Sequence, residues 1–176
     1  MNGNPEAVRA WLDRLGIAYR EAVHAPTADM AACAAVDRQL GALTPKNIFL
    51  TTKNRKRCAL CLLRPEVRFQ TADISKQAGS TRLSFAPEEM LLERLRCHGG
   101  SASPLGLIFP EAREVGLLVD AALRRAPVLA FHPCDNTRTL AMASEAFFDV
   151  FLPSVGVRPI DLSLDGSAQF PPAQRE

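Results

Sequence analysis

The sequence predicts one domain of the mixed α/β class, built on a mixed or largely antiparallel sheet. Its 176 residues are enough for one filled core and too few for two typical domains. Hydrophobic residues make up 47% and charged residues 23% of the chain, which is typical of a globular protein. Several strand-like runs follow one another directly, which excludes the strict strand–helix alternation of a doubly wound sheet.

The N-terminal elements are predicted from cap and stop residues. Asn4 can cap a helix over residues 5–15, and Gly16 ends it. The alternating run IAYREAVHA predicts a strand. Thr27 can then cap a second helix, which closes at Gly41.

The middle of the chain predicts a hairpin, two helices and a short strand. The β-rich runs NIFLTT and CALCLLR flank the basic turn KNRKR, which indicates a hairpin. TADISKQAG predicts a short helix from Thr71 to Gly79, and RLSFA predicts a short strand. APEEMLLERLRCHG predicts a longer helix, because Pro87 and two glutamates begin it and arginines occupy its last turn.

The C-terminal part is predicted to be rich in strands. Four strand-like runs follow in order: LGLIFP, EVGLLVD, VLAFHP and TRTLAMA. Ser144 is expected to cap a helix in SEAFFDVFLPSVG, and PIDLSL predicts a last strand. The prediction is a single domain over residues 1–176, in which residues 165–176 form a loosely attached tail.

Charge and cysteine content restrict the classes of function. The net charge of +2 is too small to mark a dedicated nucleic-acid-binding protein, although it does not repel a polyanion. No apolar run approaches the length of a membrane span, and the polar N-terminus does not resemble a signal peptide. Five scattered cysteines favour a reduced environment, so the sequence predicts a cytoplasmic protein with no membrane partner.

Cys58 and Cys61 form a CxxC pattern, which is a common metal or redox motif. The pattern lies inside an apolar strand, where positions three apart point to opposite faces. Neither a second cysteine pair nor a helix start accompanies it. The sequence therefore predicts packing cysteines, with no bound metal and no cofactor.

Two polar positions at strand ends are candidate site residues. Lys46 and Asn47 begin an apolar strand, and a lone lysine there is more often a solvated strand end than a cation facing a phosphate or an ester. His132 follows another apolar strand, where a lone histidine is more often a packing or turn residue. Asp135, Asn136 and Thr139 are polar neighbours that can fix its tautomer or build a tight turn.

The stretch CHGGSASPLGL carries almost no side-chain bulk. Bare backbone suits a tight turn, and it also suits a site where a ligand must contact N–H groups. The stretch lacks both GxGxxG spacing and a following GK[ST], so it fits no phosphate-binding fingerprint. What remains is a GxxxP loop from Gly100 to Pro104, and this pattern alone indicates a structural turn.

Together these motifs are more specific than any one of them. In chain order the sequence contains KNIFL, RLSFAPEEML, GGSASPLGL, a strand ending in Asp120, FHPCDNTRTL and a helix with FFDVFL. Over about residues 18–164 this order resembles the YbaK/ProX family of aminoacyl-tRNA editing domains. It is most similar to the free-standing branch that hydrolyses alanine mischarged on proline tRNA.

The resemblance implies a compact mixed α/β fold whose curved, barrel-like sheet is flanked by helices. It places Lys46, Gly100 and His132 at the positions that matter most in the family. It also implies substrate-binding positions, which are Asn47, Ser101, Ser103 and Pro104. The implied partners are mischarged tRNA, with proline tRNA favoured, and prolyl-tRNA synthetase.

Two departures from the family pattern concern the pocket. Pro45 precedes the lysine where a small or polar residue is usual, and Leu105 lies in SASPLGL where a bulkier SVTPFGL-like version is usual. Other mischarged tRNAs, such as cysteinyl-tRNA(Pro), seryl-tRNA or threonyl-tRNA, therefore stay open as substrates. A tRNA-binding module without activity is the alternative from a different class.

Overall fold

The computed structural model describes residues 4–26 and 30–164. Within these ranges the α-helices are α1 (Pro5–Arg14), α2 (Met30–Leu40), α3 (Thr71–Gln77), α4 (Glu88–Leu95) and α5 (Leu152–Ser154). The strands are β1 (Tyr19–Val23), β2 (Lys46–Thr52), β3 (Cys58–Leu63), β4 (Leu83–Phe85), β5 (Val115–Asp120), β6 (Val128–Phe131), β7 (Arg138–Ala143) and β8 (Ile160–Leu162).

The strands form two sheets. The five-stranded sheet has the order β4-β2-β3-β5-β8, in which β2 is antiparallel to β3 and β4 while β3, β5 and β8 run parallel. The three-stranded sheet has the order β1-β7-β6 and is antiparallel throughout. The mixed α/β class and the β2–β3 hairpin are confirmed. The described strands close into no barrel, so the barrel-like part of the expectation is not confirmed.

One parallel bridge between Leu43 and Leu129 joins the segment before β2 to β6. The Leu43 N–H donates to the carbonyl of Val128 at 3.1 Å, and the Ala130 N–H donates back to the carbonyl of Leu43 at 3.0 Å. Both segments run in the same direction from this bridge. Lys46 and His132 each lie three residues after this bridge. The two candidate site residues therefore follow the same junction between the sheets.

The main core lies between the inward faces of both sheets and is closed by α1 and α4. Alternate strand residues supply it because successive side chains point to opposite faces of a sheet. The five-stranded sheet contributes Phe49, Leu60, Leu62, Leu117 and Val119, and the three-stranded sheet contributes Leu129, Phe131, Leu140 and Met142. A second apolar cluster covers the other face of the five-stranded sheet, under α3.

Helix α1 begins and ends as its sequence predicts. Asn4 Oδ1 accepts a hydrogen bond from the Ala7 N–H at 3.2 Å, which satisfies one of the unpaired donors of the first turn. Gly16 follows the helix with a φ of +68°, a conformation that favours glycine. The expected cap at Thr27 and the expected tail over residues 165–176 lie outside the described residues.

The strand expected in LGLIFP is wrong, because this segment forms two short 3₁₀-helices, Pro104–Ile108 and Pro110–Ala112. The Ser103 hydroxyl oxygen accepts a hydrogen bond from the Leu105 N–H at 3.1 Å, which starts the first turn. A Cβ at Gly106 would lie 2.5 Å from the Leu95 carbonyl oxygen. The turn therefore packs directly on the end of α4.

The expected cap at Ser144 is also wrong. Its hydroxyl donates to the carbonyl of Ala126 and so ties β7 to the segment before β6. The helical segment that follows contains a π-helix, Ala146–Phe151. Phe147 in this π-helix contacts Phe131 with ring centroids 4.6 Å apart, which fixes the segment on the main core.

Candidate functional site

Two loops that the sequence singled out lie against each other. The glycine loop, residues 98–103, follows α4, and the His132 turn, residues 132–138, joins β6 to β7. A Cβ at Gly100 would lie 3.8 Å from the side-chain nitrogen of Asn136. The Cys134 thiol donates to the carbonyl of Leu95 at 3.7 Å, at the end of α4. The structure therefore brings Gly100 and the His132 turn into one region.

The glycine loop is a tight turn held by its own serine. The Ser101 N–H donates to the His98 carbonyl at 3.0 Å, and the Ser101 hydroxyl oxygen accepts from the His98 N–H at 3.0 Å. Gly100 has a φ of +80°, the value that the third residue of a type II turn requires. Glycine at this position is therefore explained by backbone conformation alone.

The same loop holds backbone donors without acceptors. The Gly99 N–H donates to the Glu88 carboxylate at 2.8 Å. Within the described residues the N–H groups of Gly100, Ala102 and Ser103 donate no hydrogen bond. Ser103 is wholly buried, and unpaired backbone donors in buried positions are rare because they cost free energy. Such donors are what a developing oxyanion needs.

His132 is held as a neutral ring with a defined tautomer. Its Nδ1 lies 2.7 Å from the carbonyl oxygen of Arg138, and since a carbonyl only accepts, Nδ1 carries the proton. Burial lowers the pKa of His132, and the hydrogen bond to Arg138 opposes this effect. The ring is therefore uncharged near neutral pH.

A second histidine, His24, reaches His132 through Thr139. The His24 Nε2 lies 2.9 Å from the Thr139 hydroxyl oxygen, which lies 3.3 Å from the His132 Nδ1. The His24 Nδ1 lies 2.8 Å from the Ala25 carbonyl and donates to it, so in the neutral ring Nε2 accepts from Thr139. The sequence indicated Thr139 as a partner of His132 but not His24, because only the pairing of β1 with β7 brings that histidine close.

Lys46 is the first residue of β2, and its ammonium donates to the Val67 carbonyl at 2.8 Å. An ammonium has three donors, so two stay available for a ligand. The side chain is half-buried. Within the described residues no hydrogen bond or ion pair joins Lys46 to Gly100 or His132. The structure thus places Lys46 at the joint between the sheets without bringing it into contact with the other two.

Asn47 carries a buried acceptor without a donor. Its amide nitrogen donates to the Pro45 carbonyl at 2.9 Å, which fixes the orientation of the amide. Its Oδ1 is buried and has no hydrogen-bond partner among the described residues. A buried unsatisfied polar atom costs about 1–3 kcal/mol. Pro45, which departs from the family pattern, thus supplies the carbonyl that orients Asn47.

The remaining predicted substrate-binding residues form the glycine loop and the start of the 3₁₀-helix that follows it. The Ser101 and Ser103 side chains are buried and bond to the backbone, and Pro104 starts the first 3₁₀-helix. Leu105 is wholly buried within the main core. Its side chain therefore contributes to core packing.

The CxxC cysteines lie on opposite faces of β3. Cys61 belongs to the cluster under α3, whereas Cys58 packs against the main core. Burial raises the pKa of Cys61 to about 12. Across residues 4–26 and 30–164, no three His, Cys, Asp or Glu side chains are grouped so that they could hold a metal ion.

The sequence interpretation missed a buried ion pair beside the site. Arg64 directly follows β3, and Asp120 is the last residue of the neighbouring parallel strand β5. Both side chains are 1% exposed. The Arg64 Nε lies 2.5 Å from the Asp120 Oδ2. A charged residue directly after an apolar strand is the signal in the sequence, but the partner follows only from the pairing of the strands.

Comparisons with known proteins identify the family of this chain. The model of the aminoacyl-tRNA editing domain family matches residues 24–150. Over 140 residues the chain is 30% identical to the prolyl-tRNA editing protein ProX of Acetoanaerobium sticklandii, covering 80% of this chain and 85% of that protein. Over 124 residues it is 33% identical to prolyl-tRNA synthetase associated domain-containing protein 1 of Mus musculus, covering 68% of this chain and 72% of that protein.

The fold is similar to a crystal structure described as that of a candidate trans-editing enzyme for prolyl-tRNA synthetase. The TM-score is 0.69 at 16% identity, over 94% of this chain and 99% of that chain. At this identity the similarity concerns the fold. No helix in the described part of the chain is long and apolar enough to span a membrane.

Proposed function

Because the chain belongs to the aminoacyl-tRNA editing domain family, we propose that it hydrolyses mischarged tRNA(Pro) in trans, and that alanyl-tRNA(Pro) is its main substrate. The observation that carries the proposal is the set of glycine-loop N–H donors that have no acceptor among the described residues, at Gly100, Ala102 and Ser103. The reaction belongs in the cytoplasm, and prolyl-tRNA synthetase supplies the substrate. The whole chain acts as a single editing domain.

The hydrolysis reaction requires little catalysis by side chains. An aminoacyl ester is already activated, so a placed water and a stabilised oxyanion suffice. The water oxygen bonds to the carbonyl carbon, and the negative charge develops on the carbonyl oxygen beside the loop donors. Collapse of this intermediate breaks the bond to the ribose oxygen, which leaves with a proton from the water. The products are the free amino acid and the tRNA with its terminal hydroxyl.

Each remaining residue of the site has a role in binding or shape. The two free donors of the Lys46 ammonium hold the phosphate or ester region of the tRNA end. The Asn47 Oδ1 accepts from the ammonium group of the aminoacyl moiety, which supplies the missing donor. His132 shapes the pocket as a neutral ring whose orientation is set by the Arg138 carbonyl. It is not assigned as a general base, since hydrolysis of an activated ester needs little beyond a placed water and a stabilised oxyanion.

Specificity follows from size exclusion. The glycine loop brings backbone close to the ester, so a small acyl group fits and the bulkier proline does not. A second site that admits only the smaller amino acid is the general solution when the first site separates two similar amino acids poorly. The resemblance to the alanine-specific branch of the family favours alanine over cysteine, serine and threonine.

The test is deacylation of a panel of labelled aminoacyl-tRNAs by the purified protein without metal or nucleotide. We expect rapid release of alanine from alanyl-tRNA(Pro), slower release from the cysteinyl, seryl and threonyl esters, and none from prolyl-tRNA(Pro). Faster release of another amino acid would show that this amino acid, and not alanine, is the main substrate. Intact esters across the whole panel at high protein concentration, with tRNA bound, would identify a binding module and overturn the proposal.

A further inference from the structure

The tip of the β2–β3 hairpin carries a dense positive charge. Four of the five residues between the strands are basic, namely Lys53, Arg55, Lys56 and Arg57, and all four are exposed. None of them forms an ion pair with a residue in the described ranges. The charge is therefore not neutralised within this part of the protein and is available to a polyanion.

One side of this hairpin lines a groove of about 390 Å³. Lys53 and Arg55 line it from the hairpin, and Arg82 lines it from the segment before β4. Ser84 and Phe85 on β4 also line it. Three cations around one groove can contact a polyanion such as a nucleic-acid backbone at several points.

Phe85 is the unusual member of this groove, because 67% of its surface is exposed. It is the one large aromatic side chain exposed to this degree in the described ranges. Its ring contacts Phe69, with centroids 5.1 Å apart. An exposed aromatic ring among cations is the arrangement on which unpaired bases stack.

The groove is connected to the candidate site through β2 and the segment before α3. Phe85 pairs with Leu50 on β2, whose first residue is Lys46. Alternation along β2 places Lys46 and Leu50 on the same face, at a separation of about 13 Å along the strand. Val67, whose carbonyl holds Lys46, lies two residues before Phe69. Pro87 also lines the groove, and the next residue, Glu88, accepts a hydrogen bond from the Gly99 N–H at 2.8 Å, so the groove lies next to the glycine loop.

We propose that this groove, lined by Lys53, Arg55, Arg82 and Phe85, is an RNA-binding site that stacks an unpaired base on Phe85 and binds adjacent phosphates. The identity of the RNA rests on the proposed function. It is the unpaired strand near the esterified end of the tRNA. The groove holds this strand while the ester reaches the glycine loop, and it does not contact the aminoacyl group.

Binding of uncharged tRNA(Pro), followed by fluorescence anisotropy, tests the site without any need for catalysis. We expect Phe85→Ala to raise Kd at least about fivefold, since stacking on an aromatic side chain contributes substantially to single-strand binding. Phe85→Tyr should restore the wild-type value. Arg55→Ala and Arg82→Ala should each weaken binding and lower the slope of log Kd against log salt by about one.

Arg14→Ala is the matched control, because Arg14 is an exposed arginine on α1, which packs on the Pro104–Ile108 segment, and it does not line the groove. Its Kd should stay at the wild-type value. Unchanged Kd for Phe85→Ala and for the Arg55→Ala/Arg82→Ala double variant would overturn the proposal. Weaker binding in the arginine variants alone would also overturn it, since it would show a general anionic contact without stacking.

A small substrate separates this proposal from the proposed function. Alanyl-adenosine contains the ester but none of the preceding RNA. Wild-type protein and the groove variants should hydrolyse it at equal rates, while the variants deacylate alanyl-tRNA more slowly at low tRNA concentration. Equal slowing on both substrates would place the groove residues in the ester site and contradict the proposal. A wild-type protein that hydrolyses neither ester overturns the proposed function, and the anisotropy result still decides the groove.

Discussion

The Nδ1 of His132 lies 2.7 Å from the carbonyl oxygen of Arg138, across the turn that joins β6 to β7. This contact assigns the proton to Nδ1 and fixes the plane of the ring. Burial favours the neutral form, and Thr139 connects the ring to His24. Protonation of His132 would place a charge inside the buried edge of the site, and the first prediction depends on that cost.

The first prediction concerns stability against pH. Because burial lowers the pKa of His132, the unfolded chain takes up a proton at this residue at a higher pH than the folded protein does. Stability is therefore fully present above the unfolded pKa and falls as the pH drops from about 7 to about 5. Thermal melting of wild type and His132→Gln over this range measures the effect, and the variant should show the flatter curve.

Other titrating groups do not disturb this comparison. The pKa values of Glu21 and Asp135 are lowered, by their hydrogen bonds to arginines and to Thr137 respectively, so these carboxyls act at more acidic pH. Burial raises the pKa of Asp37, which opposes the His132 effect as the pH falls. Both proteins carry these groups, so the difference between the curves reports His132 together with its effect on the pKa of Asp135. Parallel curves would show that its ionisation is not coupled to folding.

The second prediction concerns Lys46. If its ammonium holds the anionic end of the substrate, Lys46→Ala should lower the single-turnover rate at least about tenfold, which is about 1.4 kcal/mol. Folding should survive, because the side chain makes one hydrogen bond, to the Val67 carbonyl. Lys76→Ala, at an exposed position on α3, is the matched control and should deacylate normally. A wild-type rate in Lys46→Ala would return this lysine to a solvated strand end.

The third prediction compares two glycines with positive φ. Gly100 has a φ of +80° and Gly79 a φ of +59°, and neither site is crowded for a Cβ. Alanine at either position should cost about 1–2 kcal/mol of stability, the cost of a left-handed conformation. Gly100→Ala should also lower the single-turnover rate because it tilts the loop donors, whereas Gly79→Ala should not. Melting temperature and rate are measured on the same preparations, and equal rates would leave Gly100 with a turn role alone.

The fourth prediction concerns the Arg64–Asp120 ion pair. Asp120→Asn removes the carboxylate that is buried with Arg64 and leaves its guanidinium with the more exposed Glu66 carboxylate, 3.7 Å away. Breaking a buried pair costs about 3–5 kcal/mol. Asp161→Asn is the matched control, because its pair with Arg124 is exposed and worth less than about 1 kcal/mol. Urea denaturation measures both. A small loss in Asp120→Asn would show that water or a rearranged neighbour solvates Arg64.

The fifth prediction concerns metal. The high pKa of Cys61, about 12, keeps its thiol protonated near neutral pH, and Cys58 faces the other side of β3. Serine at either position should lower stability at most, with deacylation intact, and chelators should leave the rate unchanged. Elemental analysis checks the metal content directly. Stoichiometric zinc that leaves together with the activity would contradict a packing role.

Local sequence signals predicted most of the helices and strands, and they singled out the regions around Lys46, Gly100 and His132. They did not predict which distant residues contact these regions. The caps of α1 and the basic turn of the hairpin depend on neighbouring residues, so the sequence sufficed. His24 and Asp120 acquire their roles through strand pairing between distant segments, which no local pattern encodes. The LGLIFP error has the same origin, since an apolar run suits a strand until contact with the end of α4 selects a tighter turn.

The pairing of β1 with β7 has a consequence for how the protein is made. Tyr19 pairs with Met142 and Val23 with Arg138. Strand β1 therefore cannot pair until β7, more than 100 residues later in the chain, has been synthesised. Contacts this distant in sequence slow folding, because a long loop must close before any pairing energy is gained. During translation β1 therefore leaves the ribosome as an unpaired strand, and the nascent chain depends on protection from edge-to-edge association until β7 follows.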